Sequence, residues 1–194
     1  MKISLMIFIY RSLTFFFYPI LIVLIYFRKL LNKEDHYRYK EKIFPSNFFP
    51  EKDNKKKLIW FHAASIGETQ SIFPLIQKLN TEIEDVEFLV TTTTLSAGNI
   101  IAKKLYNYKN IKHRYFPIDV NFLIKSFLNK WQPNLIIFVD SEIWPNLIFE
   151  IKKRKIPVAL INGRITKKTF NKWMLVSTFA KEVFNSFDLC LASS

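Results

Sequence analysis

Glycine is scarce in this chain: three residues in 194, where average usage of about 7% would supply roughly 14. That scarcity excludes a collagen-like array and a flexible Gly-rich linker. A single cysteine, Cys190, cannot close an intramolecular disulfide, and three scattered histidines lack the spacing of a zinc site. Neither a disulfide scaffold nor a structural zinc module fits. The sequence has no P-loop and no G-x-G-x-x-G pattern, so nucleotide binding by those routes has no support. Acidic residues are also few, 16 against 29 Lys and Arg. The net charge of +13 favours an anionic partner, whether nucleic acid, phospholipid headgroups or a phosphorylated substrate.

Apolar and aromatic residues are plentiful: 49% of the chain is hydrophobic and 20 residues are Phe, enough for one packed domain with an appendage. The appendage is the amino terminus. Ile3 to Phe27 carries one charge, Arg11, and Ser12 to Phe27 is 16 residues without any. This is slightly short of the ~20 needed to cross a bilayer, but a snorkelling Arg11 would extend it. Residues 1–27 therefore read as a membrane anchor, either spanning or lying in the interface. A cleaved signal peptide would end in small residues, whereas Tyr26-Phe27-Arg28-Lys29 follows here. Residues 28–57 hold ten basic residues against five acids. They form a juxtamembrane linker that the positive-inside rule assigns to the cytoplasm.

From Leu58 onward, short apolar runs alternate with amphipathic stretches, the pattern of an α/β domain with a parallel sheet, here over residues 58–194. Strands are expected at Leu58–His62, Val86–Thr92, Leu135–Asp140, Pro157–Asn162 and Leu189–Ala192, with a weaker one at His113–Phe116. Helices are expected near Thr69–Leu79, Ser96–Tyr106, Phe122–Trp131, Trp144–Arg154 and Thr166–Ser186, the first kinked or shortened by Pro74. The strands show little polar alternation, as in a Rossmann-like sheet covered on both faces.

In such a sheet the ligand crevice lies beyond the carboxyl ends of the strands. The first loop there, His62-Ala63-Ala64-Ser65-Ile66-Gly67-Glu68, has Ser65 and Glu68 at capping-box spacing. Glu68 is equally a carboxylate at a crevice mouth, placed to act as a general base, with Ala63 and Ala64 leaving room for a substrate. His62 is either a catalyst or a satisfied strand-end histidine. A second loop, Asp140-Ser141-Glu142-Ile143-Trp144-Pro145-Asn146, offers two carboxylates and a flat apolar ring, or alternatively a helix cap from Asp140 or Ser141. The loops Thr91–Gly98 and Asn162-Gly163-Arg164 carry hydroxyls, backbone N–H groups and a guanidinium suited to phosphate or carboxylate. Gly67 and Gly163 sit in these loops and Gly98 at a helix start, which points to positive φ or close approach of a ligand, unless they are ordinary turn residues. The basic run Lys152–Lys155 reads as a solvated helix end, and no stretch supports nucleic-acid binding.

Taken together, HAASIGE at 62–68, TTTTLSAG at 91–98, YFPID at 115–119, DSEIWPN at 140–146 and INGRITKKT at 161–169 resemble, in order and spacing, the 3-deoxy-D-manno-octulosonic acid (Kdo) transferases of lipopolysaccharide synthesis. The resemblance covers nearly the whole chain, anchor and basic linker included. It implies the amino-terminal half of an inverting GT-B glycosyltransferase that moves Kdo from CMP-Kdo onto the lipid A precursor, with no cofactor. Glu68 is then the catalytic base, His62, Ser65 and Gly67 shape its loop, and Asp140, Glu142 and Arg164 line the same crevice. Asp140 stands where the family usually has glutamate, Asn162-Gly163-Arg164 replaces Asn-Ala-Arg, and Tyr37–Lys42 lacks a family glycine. The expected chain binds acceptor at the cytoplasmic face of the inner membrane and relies on a missing carboxy-terminal domain for CMP-Kdo. The alternative is a non-catalytic, membrane-tethered glycolipid-binding module.

Overall fold

The computed structural model describes residues 5–47, 56–105, 108–140 and 143–193. Six parallel strands form one sheet: β1 (Lys57–His62), β2 (Val86–Thr92), β3 (Ile111–Tyr115), β4 (Leu135–Val139), β5 (Val158–Gly163) and β6 (Leu189–Ala192), in the order β3-β2-β1-β4-β5-β6. The chain winds outward from β1 to β3, crosses to β4, and winds outward again to β6. β1 and β4 are therefore the neighbours at which the winding reverses, where an open α/β sheet gapes at its carboxyl edge. In β1, β2 and β4 nearly every residue is buried, because helices cover both faces.

One face carries α2 (Ile66–Glu82) and α3 (Leu95–Lys104), packed through Ile72, Ile76 and Ile101 onto Phe61, Phe88 and Val90. The other carries α4 (Asn121–Trp131), α5 (Pro145–Arg154), α6 (Lys167–Met174) and α7 (Ser177–Phe184), around Trp60, Phe138, Ile148 and Val183. Helix α2 runs unbroken through Pro74. The ring sits on the exposed side, so the Gln70 carbonyl that loses its N–H partner faces water. The helix expected over Thr166–Ser186 is two helices. At Leu175 and Val176 the bonds tighten to i−3 partners, and Val176 leaves helical geometry (φ −126°, ψ 47°) within a stretch, Val-Ser-Thr, of low helix propensity.

The amino-terminal helix α1 (Leu5–Leu30) is long and apolar enough to cross a membrane. Most of its large side chains are exposed, including Phe8, Phe15, Phe16 and Val23, but Ile7 is buried in the core of the α4–α5 face. Polar contacts fasten the same helix: Tyr10 Oη donates to Asp119 (3.0 Å), Arg11 pairs with Glu150 (3.0 Å), and Tyr18 Oη donates to the Ile43 carbonyl (2.6 Å). Arg11, expected to snorkel, thus points to a buried carboxylate instead. Within the stretch read as a linker, two 3-10 turns, Arg38–Lys42 and Pro45–Asn47, pack on β3 and α4. Arg38 donates to the His113 carbonyl (2.9 Å), and Glu41 accepts from the Tyr115 N–H (2.8 Å), sealing the β3 edge.

Candidate active site

The loop after β1 is a capping box built into the crevice. Ser65 is extended (φ −106°, ψ 169°), and its hydroxyl accepts from the Glu68 N–H. The Glu68 carboxylate accepts from the Ala64 N–H (2.8 Å) and the Ser65 hydroxyl (2.6 Å). The capping contacts are thus present, and they hold a half-exposed carboxylate in one orientation with about two of its four acceptor sites in use. Ala63 and Ala64 are buried, so the free space lies elsewhere, over Gly67: a Cβ placed there would meet nothing within 4 Å.

The threonine run does not present its hydroxyls to an anion. Thr93 and Thr94 both donate to the Ala64 carbonyl (3.2 Å each), and Thr94 also caps α3 by accepting from the Ala97 N–H. Behind them, the Lys42 ammonium donates to the Thr93 carbonyl (2.8 Å) and pairs with Glu34. Burial lowers the Lys42 pKa, and Glu34 partly offsets this. Thr93 and Thr94, just after β2, thus hold the loop that bears Glu68, and Lys42 braces them from behind. Nothing in local spacing announces this, because Lys42 and Thr93 are 51 positions apart.

His62 is fully buried, and both ring nitrogens are engaged. Thr91 Oγ1 accepts from the Trp60 indole (2.8 Å) and has the Phe61 carbonyl as its own acceptor. His62 Nδ1–H is therefore the donor to Thr91 (2.8 Å), leaving Nε2 to accept from the Trp144 indole (3.2 Å). His62 ties the end of β1 to β2 on one side and to the 143–146 turn on the other. The ring does not face open solvent.

Asp140 follows β4 with φ 61°, and Asn162 within β5 has φ 54°. The glycines have no positive φ, so these acid and amide residues carry the left-handed turns that glycine was expected to supply. Gly98 instead allows close approach, since a Cβ there would collide with the Tyr115 ring, and Gly163 lies tightly against Leu160. Asp140 and the exposed Arg164 line one cavity at the carboxyl edge beyond β4, β5 and β6. Ser141 and Glu142 lie outside the described residues. The α5 cap expected from Asp140 or Ser141 comes from Asp119, which accepts from the Asn146 N–H (2.9 Å) and the Leu147 N–H (3.0 Å). Burial raises its pKa to about 6, against the lowering effect of those donors. Asp119 was visible in the YFPID motif, but its partners are nearly thirty residues away.

The structure thus places His62 at the end of β1, Ser65, Gly67 and Glu68 in the turn that follows it at the winding reversal, and Asp140 with Arg164 in a cavity beyond β4, β5 and β6. Among the described residues no group of three His, Cys, Asp or Glu side chains is placed to hold a metal ion.

A family profile described as 3-Deoxy-D-manno-octulosonic-acid transferase (kdotransferase) matches residues 38–194. A 3-deoxy-D-manno-octulosonic acid transferase of Rickettsia bellii is 35% identical over 186 residues, covering 96% of this chain and 43% of the relative. A probable mitochondrial 3-deoxy-D-manno-octulosonic acid transferase of Arabidopsis thaliana is 37% identical, covering 85% of this chain and 36% of the relative. Among solved structures, a putative UDP-N-acetylglucosamine 2-epimerase of Listeria monocytogenes superposes with a TM-score of 0.48 at 11% identity, over 71% of this chain and 38% of the other. The chain spans less than half the length of the two transferases, and it belongs to the family of Kdo transferases, corresponding to their amino-terminal portion.

Proposed function

We propose that this chain is the acceptor-binding half of an enzyme that transfers Kdo from CMP-Kdo to the lipid A precursor with inversion. The observation that carries the reading is the Glu68 carboxylate, fixed by Ser65 and Ala64 at the carboxyl edge of the sheet, beside the open space over Gly67. Glu68 takes the proton of an acceptor hydroxyl as that oxygen attacks the anomeric carbon of Kdo. The new C–O bond forms as the bond to CMP breaks, and the phosphate of CMP carries the electron pair away. Ser65 holds the base in line, and His62 positions the turn bearing Trp144 rather than touching substrate. Arg164, followed by Lys167 and Lys168, supplies cations for the acceptor's phosphates, with Asp140 at the same edge. The exposed apolar face of α1 holds the chain at the inner membrane with the sheet on the cytoplasmic side. Donor contacts come from the remainder of a full-length enzyme.

The test is a chimera of residues 1–194 continued with the rest of a full-length relative, assayed with CMP-Kdo and lipid A precursor. Glu68→Gln keeps a capping-box residue at this position, so the fold should persist while turnover falls by about 100-fold or more. Equal turnover would remove Glu68 from the base role. The second reading, a glycolipid-binding module without catalysis, draws on the chain spanning 43% of its Rickettsia bellii relative. Turnover by the isolated chain rejects it.

A further inference from the structure

In the cavity beyond β4, β5 and β6, Asp140 and Arg164 already have a proposed place, but the apolar walls have none. Its walls are Ile143, Leu160, Ile165, Trp173, Phe184 and Leu191, and polar groups reach it mainly at Asp140 and Arg164. The volume is about 220 Å³. This is smaller than the ~300–1,000 Å³ of a typical small-molecule pocket, so it suits one slender chain rather than a ring-bearing group. Charge lies on it and near it: Arg164 is part of the lining, and α6, which gives Thr169 and Trp173 to the wall, carries the exposed Lys167, Lys168 and Lys172. A wholly apolar ligand would gain nothing from these cations, and a free phosphate nothing from the apolar walls. An acyl chain attached to an anionic headgroup uses both.

Position narrows the ligand further. β5, which carries Leu160 and Gly163, is two strands from β1, which leads to Glu68; at ~4.8 Å per strand spacing the separation is ~10 Å. A headgroup hydroxyl at Glu68 and a chain attached to the same headgroup in the cavity are within one ligand's reach. We infer that this cavity binds one fatty acyl chain of the acceptor lipid. The inference rests on the proposed acceptor role and adds a specificity subsite to it.

Cys190, the only cysteine in the sequence, lines the cavity and is exposed, so it reports occupancy without mutation. The experiment follows alkylation of Cys190 by N-ethylmaleimide in the 194-residue chain with the acylated glucosamine disaccharide phosphate, its fully deacylated counterpart, or anionic phospholipid vesicles. The acylated disaccharide should slow alkylation about tenfold or more, and the other two should not. Ile165→Glu, a change at a half-exposed wall residue, should abolish that protection without altering thermal stability. Four results would overturn the inference: no protection, equal protection by the deacylated disaccharide, equal protection by vesicles, or complete blockage in the lipid-free chimera, which would assign the cavity to following residues. Protection of Cys190 alongside a Glu68→Gln chimera of unchanged activity would retain the subsite and discard the catalytic reading.

Discussion

Gly67 and Gly98 both lie in the first turn or so of a helix, yet a methyl group would meet opposite surroundings. At Gly98 it would strike the Tyr115 ring, so Gly98→Ala should destabilise the fold by about 1–3 kcal/mol, measured by thermal or urea unfolding. At Gly67 it would enter open space, and alanine should stabilise α2 by about 0.5–1 kcal/mol. If the space belongs to the acceptor, Gly67→Ala should raise Tm and lower acceptor turnover in the chimera; unchanged turnover would make Gly67 an ordinary turn residue. Two buried groups give opposite pH signatures. His113, between Arg38 and Arg114, is pushed down to about 3 from 6.5, chiefly by burial. From pH 6.5 downward the unfolded chain binds a proton that the native state refuses, so this group's contribution to stability is lost through that window. Asp119, raised to about 6 from 3.8, takes up its proton in the native state first and so adds stability as pH falls from 6 to 4. His113→Gln should flatten the acid loss of stability and Asp119→Asn should steepen it, as read from urea unfolding at successive pH values. The Ser65–Glu68 pair was legible because both partners are local. The Asp119 cap was not, since sequence spacing carries no trace of a cap delivered from another loop.

Among the elements, α1 departs most from its sequence reading. Composition marks it as an anchor, and its exposed aromatic face agrees with that, but one side is fastened to α4, α5 and the first 3-10 turn. The Arg11–Glu150 pair is the charged part of that attachment, with Glu150 almost wholly buried and the guanidinium about one-fifth exposed. Arg11→Ala should cost roughly 2–3 kcal/mol, below the 3–5 of a fully enclosed pair because Arg11 is partly hydrated. Arg11→Lys should recover part of the loss, and unfolding curves in detergent would check both. Five strands were legible because each is a short apolar run between turn residues, whereas β3, Ile-Lys-His-Arg-Tyr, alternates buried and half-buried positions and begins two residues before the weaker strand expected at His113–Phe116. The break between α6 and α7 was weakly marked, since the periodicity of Phe170, Trp173 and Phe184 continues across it.

For the molecule as a whole, the parallel sheet and its crevice followed from alternating runs, whereas strand order depended on contacts that composition does not encode. The winding reversal between β1 and β4 explains why the loops richest in motif residues face one opening. The two sides of the sheet are finished differently. Along β3 the Arg38 guanidinium and Glu41 carboxylate occupy main-chain groups, while β6 is the opposite margin, bonded to β5. With the His113 carbonyl and the Tyr115 N–H already taken, an incoming strand finds no continuous row of partners along β3, which guards this border against edge-to-edge aggregation.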